Sequence, residues 1–121
     1  MATTEHRVMN QPTMIFNIPD ELREMKANEQ WRTSHRGAKT LVKNDALRIV
    51  LVALAKGLRV DEHKAEGAIT VSVAEGSLRF TANGEDTVLA TGALLALAGG
   101  IPHAVEALEE SALVVTVAQP R

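Results

Sequence analysis

The sequence contains no cysteine and no tyrosine, and apart from histidine its aromatic residues are only Phe16, Trp31 and Phe80. Without cysteine there are no disulfide frameworks, thiolate zinc sites, iron–sulfur clusters or cysteine nucleophiles. Scarce aromatics argue against base-stacking platforms and aromatic sugar clefts. The longest stretch free of Asp, Glu, Lys and Arg runs from Thr87 to Val105 and is interrupted by Thr91-Gly92 and Gly99-Gly100-Ile101-Pro102. A membrane helix needs about 20 apolar residues, so strands joined by turns explain this stretch better. The N-terminal residues lack the basic-then-apolar layout of a signal peptide, and a cytoplasmic protein is expected. The net charge of −2 excludes a nucleic-acid binder acting by bulk electrostatics.

What is present is an ordinary globular balance, with 45% apolar and 23% charged residues in a chain of 121. One domain of this length buries about two-thirds of its unfolded surface and needs no metal or disulfide merely to fold. Charge is uneven. Residues 1–60 carry ten Lys/Arg against six Asp/Glu, and residues 61–121 carry three against nine. The expectation is a positive N-terminal segment lying across an acidic face, its own or a partner's.

Residues 1–17 are polar, aperiodic and contain Pro12. A helix is then expected from Pro19 to about Gln30: proline suits an early helical position, Asp20, Glu21 and Glu24 suit the first turns, and Leu22 and Met25 share a face. From Lys39 onward short apolar runs alternate with turn signals, the pattern of many short strands. Leu47–Leu54 is a continuous apolar strand apart from Arg48. Val60 to Lys64 is a second. Ile69, Val71 and Val73 alternate with Thr70, Ser72 and Ala74, and Leu78, Phe80 and Ala82 continue the alternation after Glu75-Gly76. Asn83-Gly84 is a strong hairpin signal because both residues tolerate positive φ. Val88–Ala90, Ala93–Leu97, His103–Leu108 and Ala112–Ala118 complete the set. An all-β antiparallel sandwich or barrel follows, with residues 1–38 as an N-terminal extension and 39–121 as the barrel domain.

The segment from Gly57 to Ala107 resembles the cupin family, whose fold is a β-barrel of the jelly-roll type. The first cupin motif, G-x5-H-x-H-x3–4-E-x6-G, is met here by Gly57, His63 and Gly76. The second, G-x5-P-x-G-x2-H-x3-N, is met by Gly92, Gly100 and His103. Four positions depart from the two motifs: in the first, the second histidine is Ala65 and the glutamate is Ile69, and in the second, the proline is Ala98 and the asparagine is Ala107. A typical metal cupin uses three His and one Glu, so the resemblance implies that two of four ligands survive, His63 and His103. It also implies a homodimer, sometimes formed by exchange of N-terminal strands.

Strand alternation sharpens this picture. If His63 points inward, so do Asp61 and Ala65, with Glu62 and Lys64 outward. Around His103 the inward set is Val105 and Ala107. The expected pocket is therefore lined by His63, His103, Ala65, Ile69, Val71, Val105 and Ala107. His63 and His103 are also the candidate metal ligands, for a divalent transition metal such as zinc, iron, nickel or manganese. Asp61, His35 and His6 are the candidate further donors. Stable metal sites offer three or four donors, so no tightly bound metal is expected.

Two functions stay open. One is a metal-free small-molecule pocket in which the two imidazoles orient the ligand. The other is a metal-dependent cupin enzyme, of dioxygenase or isomerase type, with a reduced ligand set. A barrel serving only as a scaffold would leave both histidines as remnants. Other features have plainer explanations: Gly99-Gly100 as a strand-connecting turn, the acidic Glu109-Glu110-Ser111 as a solvated hairpin tip, and Arg32, Arg36, Lys39, Lys43 and Arg48 as a solvated or subunit-facing surface with no nucleic-acid partner. Trp31 is expected to anchor the extension.

Overall fold

The computed structural model describes residues 8–119. His6 and the rest of residues 1–7 lie outside the described residues. Two helices come first, α1 (Ile18–Lys26) and α2 (Glu29–Ser34). Nine strands follow: β1 (Arg36–Lys43), β2 (Leu47–Leu54), β3 (Arg59–His63), β4 (Ile69–Glu75), β5 (Ser77–Ala82), β6 (Glu85–Ala90), β7 (Leu94–Leu97), β8 (His103–Ala107) and β9 (Ser111–Ala118). They form a five-stranded sheet in the order β1-β2-β9-β4-β7 and a four-stranded sheet in the order β3-β8-β5-β6, antiparallel throughout.

The sheets face each other over a core that includes Leu54, Val71, Val73, Leu78, Phe80, Val105 and Leu113. Strand β2 shows why its sequence reads as an unbroken apolar run. Arg48, Val50 and Val52 face the barrel interior, while Leu51 and Ala53 belong to a second core on the outer face, with Ile49 packed against it. A strand buried on both faces loses the polar half of its alternation. The expected Asn83-Gly84 hairpin is present: both residues have positive φ, 53° and 79°, and the turn joins Ala82 to Glu85 in register.

The outer core is closed by the extension. Leu22 and Met25 of α1 pack with Leu41, Leu51, Ala53 and Ala112, and Trp31 packs against the same cluster. The single helix expected to reach Gln30 is two helices. Asn28 breaks the first and starts the second, its side chain accepting the Trp31 N–H at 3.2 Å. An asparagine followed by Glu29 is an N-cap signal.

Ion pairs fix the extension to the barrel. Lys39 is buried, not solvated, and donates to Glu21 at 2.6 Å and to Glu24 at 3.3 Å. Lys26 donates to Glu110 at 2.6 Å and Glu75 at 3.0 Å. Lys26 thus sets the extension on acidic groups of its own barrel, whereas the Lys39 pair runs the other way, from a barrel lysine to acidic residues of the extension. The acidic turn is correspondingly not a free tip: Ser111 is fully buried and Glu110 holds α1. Burial works against the charge of Lys26, but the hydrogen bonds to Glu110 and Glu75 outweigh it and hold its pKa above the usual 10.5. A raised value means that the pair stabilises the fold at neutral pH and that this contribution fades as pH rises through the folded-state pKa.

Candidate functional site

Between the sheets lies a cavity of about 430 Å³, within the range of small-molecule pockets, roughly 300–1,000 Å³. Its walls are mostly valines from both sheets, with Phe80 and Leu113. Its polar lining consists of His63, His103, Arg48, Lys64, Glu66 and Gln119. His103 is buried at 4% exposure, while His63, Arg48, Lys64 and Glu66 are exposed.

The histidines meet because β3 and β8 pair antiparallel with His63 directly opposite His103. Their ring centroids are 4.3 Å apart with the planes tilted by 59°. The interval between Val60, opposite Val105, and His63, opposite His103, holds one residue more on β3 than on β8. This bulge breaks strict alternation. Val60 and His63 both reach the cavity, and Asp61, expected inward beside His63, does not line it. Lys64, expected outward, does line it.

Each imidazole is held the same way. His63 Nδ1 lies 2.9 Å from the Asp61 carbonyl oxygen, and His103 Nδ1 lies 2.9 Å from the Ile101 carbonyl oxygen. A carbonyl only accepts, so each Nδ1 donates, and in the neutral ring Nε2 is left as an acceptor. The ring of His103 also stacks on Phe80, with centroids 5.6 Å apart and planes 11° from parallel. The buried imidazole is therefore fixed by one hydrogen bond and one ring face.

Of the residues expected to form the pocket, His63, His103, Ala65, Ile69, Val71 and Val105 line the cavity. Ala107 does not. It faces inward but lies further along β8, opposite Leu78, at 1% exposure in the closed part of the core. Ala65 and Ile69 stand where the family motif has donors, so the wall there is methyl and butyl. His35 is remote: it caps α2, and its carbonyl accepts from Ala55 N at the end of β2 opposite to Arg48. Among the described residues no group of three or more His, Asp or Glu is placed to hold a metal ion. The two imidazoles fit half of a metal site, and their neighbours do not complete it.

The mouth is shaped by two loops in contact. Gly100 N–H donates to the Ala65 carbonyl at 2.7 Å, and a Cβ at Gly99 would overlap the Glu66 carbonyl. The two glycines thus serve a loop–loop closure, as the turn assignment required. Arg48, like Lys64, Glu66 and Gln119, is a polar lining residue that the sequence did not single out as part of a site. It is in phase with Val50 and Val52, but Ile49 and Leu51 are equally apolar, so the run alone does not say which face is inner.

The two-sheet barrel with a histidine pair facing its cavity is the architecture of a cupin. A cupin-domain profile matches residues 50–118, more than half of the chain, and the chain belongs to the cupin family. No curated protein matches it. Among solved structures it is similar to a conserved protein of unknown function from Streptococcus pyogenes, at 22% identity and TM-score 0.74, over 100% of this chain and 97% of that one. It is also similar to a cupin superfamily protein from Desulfitobacterium hafniense, at 18% identity and TM-score 0.76, over 94% and 99%. A third likeness is to salicylate 1,2-dioxygenase from Pseudoaminobacter salicylatoxidans, at 17% identity and TM-score 0.75, covering 85% of this chain but 32% of the dioxygenase. At these identities the likenesses establish the fold. No helix among the described residues is long and apolar enough to cross a membrane.

Proposed function

We propose that this cupin binds a small molecule in the barrel interior, with His63 and His103 orienting it and no full metal site. The carrying observation is a cavity with mostly apolar walls that contains two imidazoles, each with Nδ1 committed to a backbone carbonyl. Two Nε2 acceptors side by side favour a ligand that presents O–H or N–H to them, and the same atoms can take up a proton as a general base. The functional unit is the barrel of residues 39–121, with 1–38 as its extension, and a homodimer belongs to this proposal.

The alternative is a metal-dependent enzyme with a reduced ligand set, and one observation favours it. An Nδ1–H bonded to a carbonyl with a free Nε2 is how metal-bound histidines are usually held. The donor count weighs against it, because Ala65 and Ile69 supply none.

Phenol and anisole separate a hydrogen-bonding pocket from a merely greasy one. The pocket as described binds phenol about two- to tenfold more tightly than anisole, the worth of one hydrogen bond. That preference falls in His63→Phe and His103→Phe, read by calorimetry on variants whose melting shows them folded. Equal affinities for phenol and anisole in the unsubstituted protein would refute the orienting role of the histidines.

A further inference from the structure

The proposed pocket contains a charged group that its apolar walls do not explain. Arg48 lines the cavity from the inner face of β2, in the position that Val50 and Val52 occupy further in. Its cross-strand partners are Lys43 on β1 and Val117 on β9; Val117 also lines the cavity and in turn lies opposite Ile69 on β4. Arg48 therefore stands between a second basic residue at the sheet edge and an apolar row that runs into the cavity. Among the described residues it has no ion pair, although Arg23, Arg32, Arg59 and Arg79 each have a carboxylate within reach. Lys64 lines the same cavity, again with no ion pair, and among the described residues the sole carboxylate of the lining is Glu66. With neutral imidazoles the lining carries one net positive charge.

Resting on the cavity-binding proposal, we infer that the ligand is a small organic monoanion with an apolar body, a carboxylic acid of one ring or a short chain. The carboxylate meets Arg48, whose planar fork donates to both of its oxygens, and Lys64 adds a second positive charge. The hydrocarbon lies along the valine walls. The imidazole Nε2 atoms, being acceptors, do not bind the carboxylate. They face the other side of the cavity, from the four-stranded sheet, and are left for a hydroxyl or amine elsewhere on the ligand. This division of polar groups separates an acid from a neutral sugar or an amine: a sugar leaves Arg48 without a counter-charge, and an amine is repelled by it.

Hexanoate and benzoate, with hexanamide, benzamide and hexylamine as controls, test the inference on the full chain at low ionic strength, read by calorimetry and by melting temperature. At least one acid should bind saturably, about tenfold or more tighter than its amide, with hexylamine weakest. Arg48→Gln should remove the preference for acid over amide and Arg48→Lys should keep part of it. Arg48 is exposed, so these variants are expected to melt like the parent. Val115→Trp, which fills the cavity from β9, should abolish binding. If acids and amides bind alike and Arg48→Gln changes nothing, the anion assignment is wrong while the pocket stands. If acid binding survives in Val115→Trp, the anion sits on the surface near Arg48 and the inference fails. If no probe binds, the inference and the cavity-binding proposal fall together.

Discussion

Phe80→Ala is expected to destabilise the barrel by about 3–5 kcal/mol, the cost of deleting a buried aromatic and leaving a void. Phe80 is 2% exposed and stands in the core between the sheets. A domain of this size has about 5–15 kcal/mol in total, so the loss is a large fraction of it. The same ring also fixes the site, because His103 stacks on it. Phe80→Leu should restore much of the volume and cost less, yet still remove the stacked ring face that helps to orient the buried His103 imidazole. Urea melts measure the stabilities, and the phenol preference over anisole measures the site. A loss below about 1 kcal/mol in Phe80→Ala would contradict the packing described here.

Gly76→Ala is expected to cost about 2–5 kcal/mol, from two sources. Gly76 has φ +87°, where a side chain is strained by about 1–2 kcal/mol. Its added Cβ would also overlap the Glu110 carbonyl and Ser111 Oγ and lie 2.7 Å from Ser111 Cα. These atoms cannot swing aside. Ser111 Oγ accepts the Ser77 N–H at 3.1 Å, and its own hydrogen serves the carbonyls of Glu109 at 2.7 Å and Ser77 at 3.0 Å. Gly84 is the control. It has φ +79°, but a Cβ there meets nothing within 4 Å, so Gly84→Ala should cost only the backbone strain. Equal losses for the two alanines in parallel urea melts would show that the turn between β4 and β5 yields, against the close contact described.

Much of the fold is legible in the sequence because period-two alternation and turn chemistry agree. Ile69, Val71 and Val73 are buried in β4, and Asn83-Gly84 turns where its two positive φ values allow. The spacing of Gly57 to His63 and of Gly92 and Gly100 to His103 is what brings the histidines to one level of the barrel. What was not legible depends on register and on contacts distant along the chain. The β3 bulge leaves no compositional mark, so Asp61 read as a neighbour of His63 inside the barrel. Lys39 and Glu110 look like solvated charges until α1 is laid over the sheet and supplies Glu21 and Lys26. Arg48 looks like one of several basic residues until β2 is paired with β9, which settles the face it shares with Val50. The break at Asn28 is marked by an N-cap residue and a following glutamate, but the helix-favouring composition that continues through Glu29 and Gln30 hides it.

In the function proposed here, two imidazoles in a largely apolar cavity serve a small molecule and not a resident metal. Elemental analysis of protein purified without an affinity tag or added chelator, before and after incubation with zinc, iron, nickel and manganese, tests it most directly. The expected metal content is near zero per chain throughout, because Ala65 and Ile69 replace two donors and no third donor joins His63 and His103 among the described residues. A content near one per chain, lost in both His63→Ala and His103→Ala, would contradict it and make the metal-dependent enzyme the correct assignment.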